Sequence, residues 1–161
     1  MMISYMVDGE GFLIVNRSIV AQDIQEFEYS PKPEFATQIT IFNVEDERAT
    51  LQKFFDVIKD IKPFIITTYN GDRFDWPFIM KRALVYGISM EEEIGVAPTN
   101  KQENVFWGRW IAHLDCYSWV DRDSYLPMGS RGLKAVTKNK LRYDPVELEP
   151  ELMVPMARNN P

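Results

Sequence analysis

Residues 63–79 read PFIITTYNGDRFDWPFI, and this stretch decides the fold. Phe64 to Tyr69 is apolar and rich in Ile and Thr, the composition of a buried strand. Asn70-Gly71-Asp72 breaks the run as a turn. Asp75-Trp76-Pro77 then reads as a helix entry, with an Asp cap and Pro in the first turn. Phe78 to Tyr86 continues that helix, and Gly87 stops it. A strand turning directly into a helix is the repeating unit of an α/β layer. It places Asp75 on the edge where open α/β sheets keep their sites.

Towards the N-terminus, Ile3 to Val7 and Phe12 to Val15 are β-like runs separated by Asp8-Gly9-Glu10-Gly11, a hairpin signal. Residues 21–38 are polar, contain Pro31 and Pro33, and read as an exposed loop. Ile39 to Phe42 is a short strand. Val44 to Asp60 carries Leu51, Phe54, Phe55 and Ile58 at helical spacing, with Asp46 and Glu47 near its start.

Towards the C-terminus, Met90 to Ile94 is a short acidic helix and Ala97 to Asn104 a loop. Trp110 to Val120 reads as a strand, and Leu133 to Leu141 as a basic helix. From Asp144 onward the chain reads as irregular. The alternation predicts an α/β fold with a mixed sheet and flanking helices, its antiparallel part supplied by the N-terminal hairpin.

The 161 residues suit one domain, and 45% hydrophobic residues suit a packed core. No apolar run approaches membrane-spanning length, and MMISYMVDGEG has no secretory character, so no membrane role is expected. One cysteine, Cys116, excludes an internal disulfide and fits a reducing compartment. With one His and one Cys, a structural zinc site is not expected, so any metal would be a hard cation on carboxylates. The net charge of −6 argues against coating of nucleic acid by the whole surface.

Asp75 has two uses on spacing alone: capping the helix, which spacing favours, or binding a metal in phosphodiester chemistry, which needs converging carboxylates. Asp72 reads as a solvated turn residue. Asp115 is ambiguous, and His113 is not expected to be a catalytic base, because metal-activated water needs none. Trp107, Trp110 and Trp119 read as core. In the basic run, Leu133, Val136 and Leu141 can pack while Lys134, Lys138, Lys140 and Arg142 face outward. A solvated face is the plainer use of that run. Contact with phosphates, helped by Ser130 before the helix, is the sharper one, with Ser130, Lys134 and Lys138 as the candidates.

The run Tyr69 to Phe78 resembles the second exonuclease motif of the B-family DNA polymerases, an Asn followed by a Phe-Asp pair. Residues 1–11 (MMISYMVDGEG), 27–34 (FEYSPKPE), 122–130 (RDSYLPMGS) and 141–148 (LRYDPVEL) narrow the resemblance to the epsilon branch of that family. The resemblance runs over nearly the whole chain and is weakest around residues 96–110. It implies a ribonuclease-H-like 3′→5′ exonuclease that proofreads for a DNA-directed DNA polymerase, a nucleotidyltransferase. Asp75 would then be a catalytic metal ligand, Phe74 would contact the 3′-terminal nucleotide, and Asn70 would help hold the strand. A two-metal Mg²⁺ site is implied, as are zinc and an iron–sulfur cluster outside this stretch. The implied partners are primer–template DNA with a single-stranded 3′ end, accessory subunits of the holoenzyme and the sliding clamp. The implied location is the nucleus.

Two further motifs imitate the rest of the family's site. Asp8-Gly9-Glu10 has its Asp-x-Glu form, and Tyr117-Ser118-Trp119-Val120-Asp121 its Tyr-x-x-x-Asp form. The first reads as a hairpin turn, and the second lies in a strand-like run where the family's motif opens a helix. By resemblance the true motifs lie before Met1 and after Pro161. Residues 1–161 are thus expected to be a partial exonuclease domain with one of three catalytic motifs, no polymerase domain and no activity alone. The rival from another class is a non-catalytic nucleic-acid- or protein-binding module of the same fold, with Asp75 only a helix cap.

Overall fold

A computed structural model describes residues 1–29, 36–99, 105–122, 126 and 129–159. The chain divides into two compact units, Met1–Phe54 with Tyr143–Pro161, and Phe55–Arg142. The architecture is α/β with a mixed sheet, as the alternation predicts.

In the first unit, β1 (Met2–Val7) and β2 (Glu10–Asn16) form the expected hairpin, pairing Met2 with Val15 and Val7 with Glu10. Asp8 and Gly9 both take positive φ, 49° and 88°, which a two-residue hairpin turn requires and the Asp-Gly pair tolerates. β4 (Thr37–Val44) lies parallel to β2, and β3 (Phe27–Tyr29) pairs antiparallel with β4, giving the order β1-β2-β4-β3. The loop expected over 21–38 is therefore shorter. Phe27-Glu28-Tyr29 is an edge strand whose aromatics favour extended backbone, and β4 begins at Thr37. Pro31 and Pro33 lie outside the described residues.

Tyr5 stacks on Phe12 and Phe12 on Phe42, with ring centroids 5.0 and 6.3 Å apart. Helix α1 (Glu47–Ile61) follows and runs on into the second unit, its Leu51, Phe55 and Ile58 buried at the predicted spacing. Asp46 caps it by accepting the Ala49 N–H at 2.8 Å. The terminal stretch is not wholly irregular. Pro150–Asn159 forms a helix, numbered α6 below, with Pro150 in its first turn and Leu, Met and Ala as helix formers.

In the second unit, β5 (Ile65–Thr68) and β8 (Ala112–Asp115) pair in parallel, Ile65 with Ala112 and Thr68 with Asp115. The expectation of a buried β5 is corrected: Phe64 is 90% and Ile65 60% exposed. Among the described residues β5 has β8 as its one strand neighbour, which leaves apolar side chains of a parallel strand uncovered. Helix α2 (Asp75–Val85) ends before Gly87, and α3 (Met90–Ile94) is the acidic helix foreseen. The last turn of α1 is tied to α3 through Lys59, 2.6 Å from Glu93 and 2.9 Å from Asp56.

A short strand, β6 (Val96–Pro98), replaces the start of the loop expected over 97–104 and pairs antiparallel with β7 (Phe106–Gly108). Residues 100–104 lie outside the described residues. The strand expected over Trp110–Val120 is two elements, β8 and then α4 (Cys116–Arg122), because Asp115 caps a helix by accepting the Tyr117 N–H at 3.0 Å. The basic helix is α5 (Leu133–Val136), continuing into a π-helical turn over Thr137–Leu141. Thr137 is buried, whereas Leu133 and Leu141 are exposed rather than packed. Trp107, Trp110 and Trp119 are exposed as well, and Trp76 is the tryptophan of the core. No helix among the described residues is long and apolar enough to cross a membrane.

Candidate functional site at the end of the β5–β8 pair

The loop leaving β5 sits at the carboxyl end of the parallel pair, where chain direction converges on one edge. Asn70 takes a left-handed conformation, φ 62°, which Asn tolerates better than most residues. Its carbonyl accepts the Arg73 and Phe74 N–H groups at 3.2 and 3.1 Å, and the Gly71 carbonyl accepts the Trp76 N–H at 2.9 Å. A Cβ on Gly71 would lie 2.4 Å from Thr68 Oγ1, so this tight turn admits only glycine without movement.

Two side chains of β8 hold the loop from below. Buried Asp115 accepts three backbone N–H groups, from Asn70 at 2.7 Å and Tyr117 at 3.0 Å on Oδ1, and from Asp72 at 3.1 Å on Oδ2. His113 faces inward. The Trp76 indole donates to its Nε2 at 3.0 Å, and the Thr68 hydroxyl lies 2.9 Å from the same nitrogen. An indole N–H can only donate, so Nε2 carries no hydrogen and the ring hydrogen sits on Nδ1. Nδ1 lies 3.2 Å from the Phe106 carbonyl and 3.4 Å from Asp72 Oδ1. A histidine so occupied is a structural bridge between β5, α2 and β7.

Asp72 is not a solvated turn residue. It is 8% exposed, and its Oδ1 accepts the Phe106 N–H at 2.7 Å, which closes the loop onto β7. Burial raises its carboxyl above the ordinary range, against the lowering effect of that hydrogen bond. The sequence signal that could have revealed this is weak, because both partners lie more than thirty residues away.

Asp75 opens α2, but Phe74 occupies the cap position and no side chain caps the helix. The expectation that Asp75 caps the helix is overturned. Its carboxyl is raised by partial withdrawal from water and, after the opposing effect of its own backbone N–H, by the negative charge of Asp115. A carboxylate in that setting favours a cation. Beside it Phe74 is 69% exposed, an apolar ring held out to solvent. Asn70 Oδ1 is buried and has no hydrogen-bond partner among the described residues.

The imitating motifs have structural uses of their own. Asp8 forms the hairpin turn and Glu10 begins β2. Tyr117 and Asp121 lie on helix α4 and not on a strand, so the strand argument against them fails. Asp121 is instead ion-paired with Arg131, and Tyr117 packs edge-on against Tyr69, ring centroids 5.9 Å apart, with the Arg73 guanidinium 5.1 Å from its own ring. The Tyr69 hydroxyl donates to the Arg131 carbonyl, tying the start of the basic run to the loop. Ser130 lies in the preceding turn, two residues before Gly132, which occupies the cap position of α5. Lys134 lies on α5 and Lys138 on the π-helical turn.

No three His, Cys, Asp or Glu side chains gather as a metal-binding group among the described residues. Asp115 is buried and already accepts three backbone N–H groups, whereas Asp75 is exposed and is the carboxylate of this loop open to a ligand. That fits one position of a divalent ion and is not a complete site, since Mg²⁺ prefers octahedral oxygen coordination.

A sequence model of the DNA polymerase family B exonuclease domain matches residues 1–136. Over all its 161 residues the chain is 56% identical to the catalytic subunit of DNA polymerase epsilon from Eremothecium gossypii. It is 58% identical to that of Candida glabrata and 56% to that of Saccharomyces cerevisiae over the same length. It spans 7% of the length of each of these relatives.

Proposed function

The chain belongs to the exonuclease-domain family of the B-family DNA polymerases, and on that premise we propose that it forms part of the 3′→5′ proofreading exonuclease of an epsilon-type replicative polymerase. The observation that carries this reading is the pairing of an open Asp75 carboxyl with an exposed Phe74 at the end of a parallel strand pair. In this reading Asp75 contributes one ligand to a two-Mg²⁺ site whose other carboxylates come from polypeptide outside this chain. When bound, such ions supply activation of water and neutralisation of the leaving oxygen. The residues present here bind and orient the strand. Phe74 packs against the 3′-terminal nucleotide, and Asn70 helps hold the strand. Ser130, Lys134 and Lys138 contact phosphates of the strand.

The whole protein would extend primer–template DNA and remove mismatched 3′ ends, in the nucleus, with accessory subunits and the sliding clamp as partners. Its zinc and iron–sulfur cluster would lie outside this stretch. One assay tests the reading: Mg²⁺-dependent cleavage of a 3′-mismatched primer by this chain and by a version extended at both ends. Activity only in the extended chain, abolished by Asp75→Ala, is expected. Activity in the short chain that disappears with Asp8→Ala or Asp121→Ala would sink it.

A further inference from the structure

Asp115 caps α4 with a single hydrogen bond to the Tyr117 N–H, and the cap needs no more. Its carboxylate makes two more, to the Asn70 and Asp72 N–H groups at 2.7 and 3.1 Å, and both belong to a loop more than forty residues earlier. Bonds to a charged acceptor are shorter and stronger than neutral ones. They fall on the two residues that set the loop's path: Asn70, in its left-handed conformation, and Asp72, which anchors to β7 through Phe106. A buried carboxylate is tolerated only where such bonds replace its water, so the loop and Asp115 each hold the other in place.

We infer that Asp115 is a positioning residue for the Asn70–Asp75 loop, fixing the backbone that presents Asn70, Phe74 and Asp75 without itself touching substrate. The inference rests on the exonuclease reading above. It predicts a graded response. Asp115→Asn keeps an oxygen for the Asn70 and Tyr117 N–H groups but turns an NH₂ towards Asp72, whereas Asp115→Ala removes all three hydrogen bonds.

The test uses the intact polypeptide that carries this chain. It measures kcat and KM for Mg²⁺-dependent removal of a 3′-mismatched nucleotide, and backbone amide hydrogen exchange. Displacing reacting groups by about 1 Å lowers rates on the order of a hundredfold, so Asp115→Ala is expected to lose about that much in kcat/KM, and Asp115→Asn less. Exchange should quicken at residues 70–74 while the amides of β8 stay protected. Asp75→Ala, run in parallel, separates the two readings. If it leaves activity intact, the exonuclease reading falls, and the exchange data alone then judge whether Asp115 holds the loop. If Asp75→Ala abolishes activity while Asp115→Ala keeps kcat and KM within about twofold, the positioning role is overturned. If Asp115→Ala does not fold, the same comparison is made with Asp115→Asn. Exchange that rises equally across β5, β8 and α4 in that variant would reduce Asp115 to a packing residue.

Discussion

At the scale of single residues, the loop before α2 is built from polar groups withdrawn from water, and Asp72 shows what this does to pH dependence. Its carboxyl is raised above 3.8 by burial, so the folded chain holds its proton more tightly than the unfolded chain does. The resulting stabilisation is present in full below the unfolded value of about 3.8, and it is lost as pH rises through the raised value. Asp72→Asn keeps an oxygen for the Phe106 N–H and removes the charge. The wild-type chain should therefore lose stability relative to Asp72→Asn as pH climbs from about 3.5 to 7. Denaturant midpoints over that range measure it, and parallel curves would refute it.

At the scale of elements, those with local signals are legible in the sequence. The Asp8-Gly9 turn marks the hairpin, and the spacing of Leu51, Phe55 and Ile58 marks α1. The start of α1 is equally local, since Asp46 accepts an N–H three residues on. Asp46→Ala should destabilise the fold by about 1 kcal/mol, read by thermal or chemical unfolding. What the sequence hides depends on distant partners. Trp110 to Val120 is apolar enough for one strand, and only the cap made by Asp115 separates β8 from α4. Asp115 is ambiguous in sequence because two of its three partners are Asn70 and Asp72, which the fold alone brings to it. The candidate site divides the same way. Asn70, Phe74 and Asp75 stand out as a motif, whereas His113, Asp72 and Asp115, which hold that motif, carry no signal in sequence spacing. Burial of tryptophan misleads for a related reason: hydrophobicity does not say which of several indoles finds a polar partner inside, and Trp76 does so through His113.

At the scale of the whole molecule, charge sets the terms on which the proposed strand binding can work. The chain carries −6 overall, yet Arg131, Lys134, Lys138, Lys140 and Arg142 gather within twelve residues. An acidic globule binds a polyanion only through such a local cluster, and each phosphate it neutralises releases condensed counterions. The Tyr69 hydroxyl, by binding the Arg131 carbonyl, keeps that cluster attached to the loop that bears Asp75. If Lys134 and Lys138 touch the single strand, replacing both with Ala should weaken binding for every sequence alike. It should also flatten the plot of log affinity against log salt by about 1.4, roughly 0.7 for each single-strand phosphate left without its lysine. Anisotropy titrations of a labelled single-stranded oligonucleotide, with the intact polypeptide and no divalent metal, give that slope. A weaker affinity with an unchanged slope would mean that the two lysines act on the fold and not on phosphate, and the basic run would then be a solvated face.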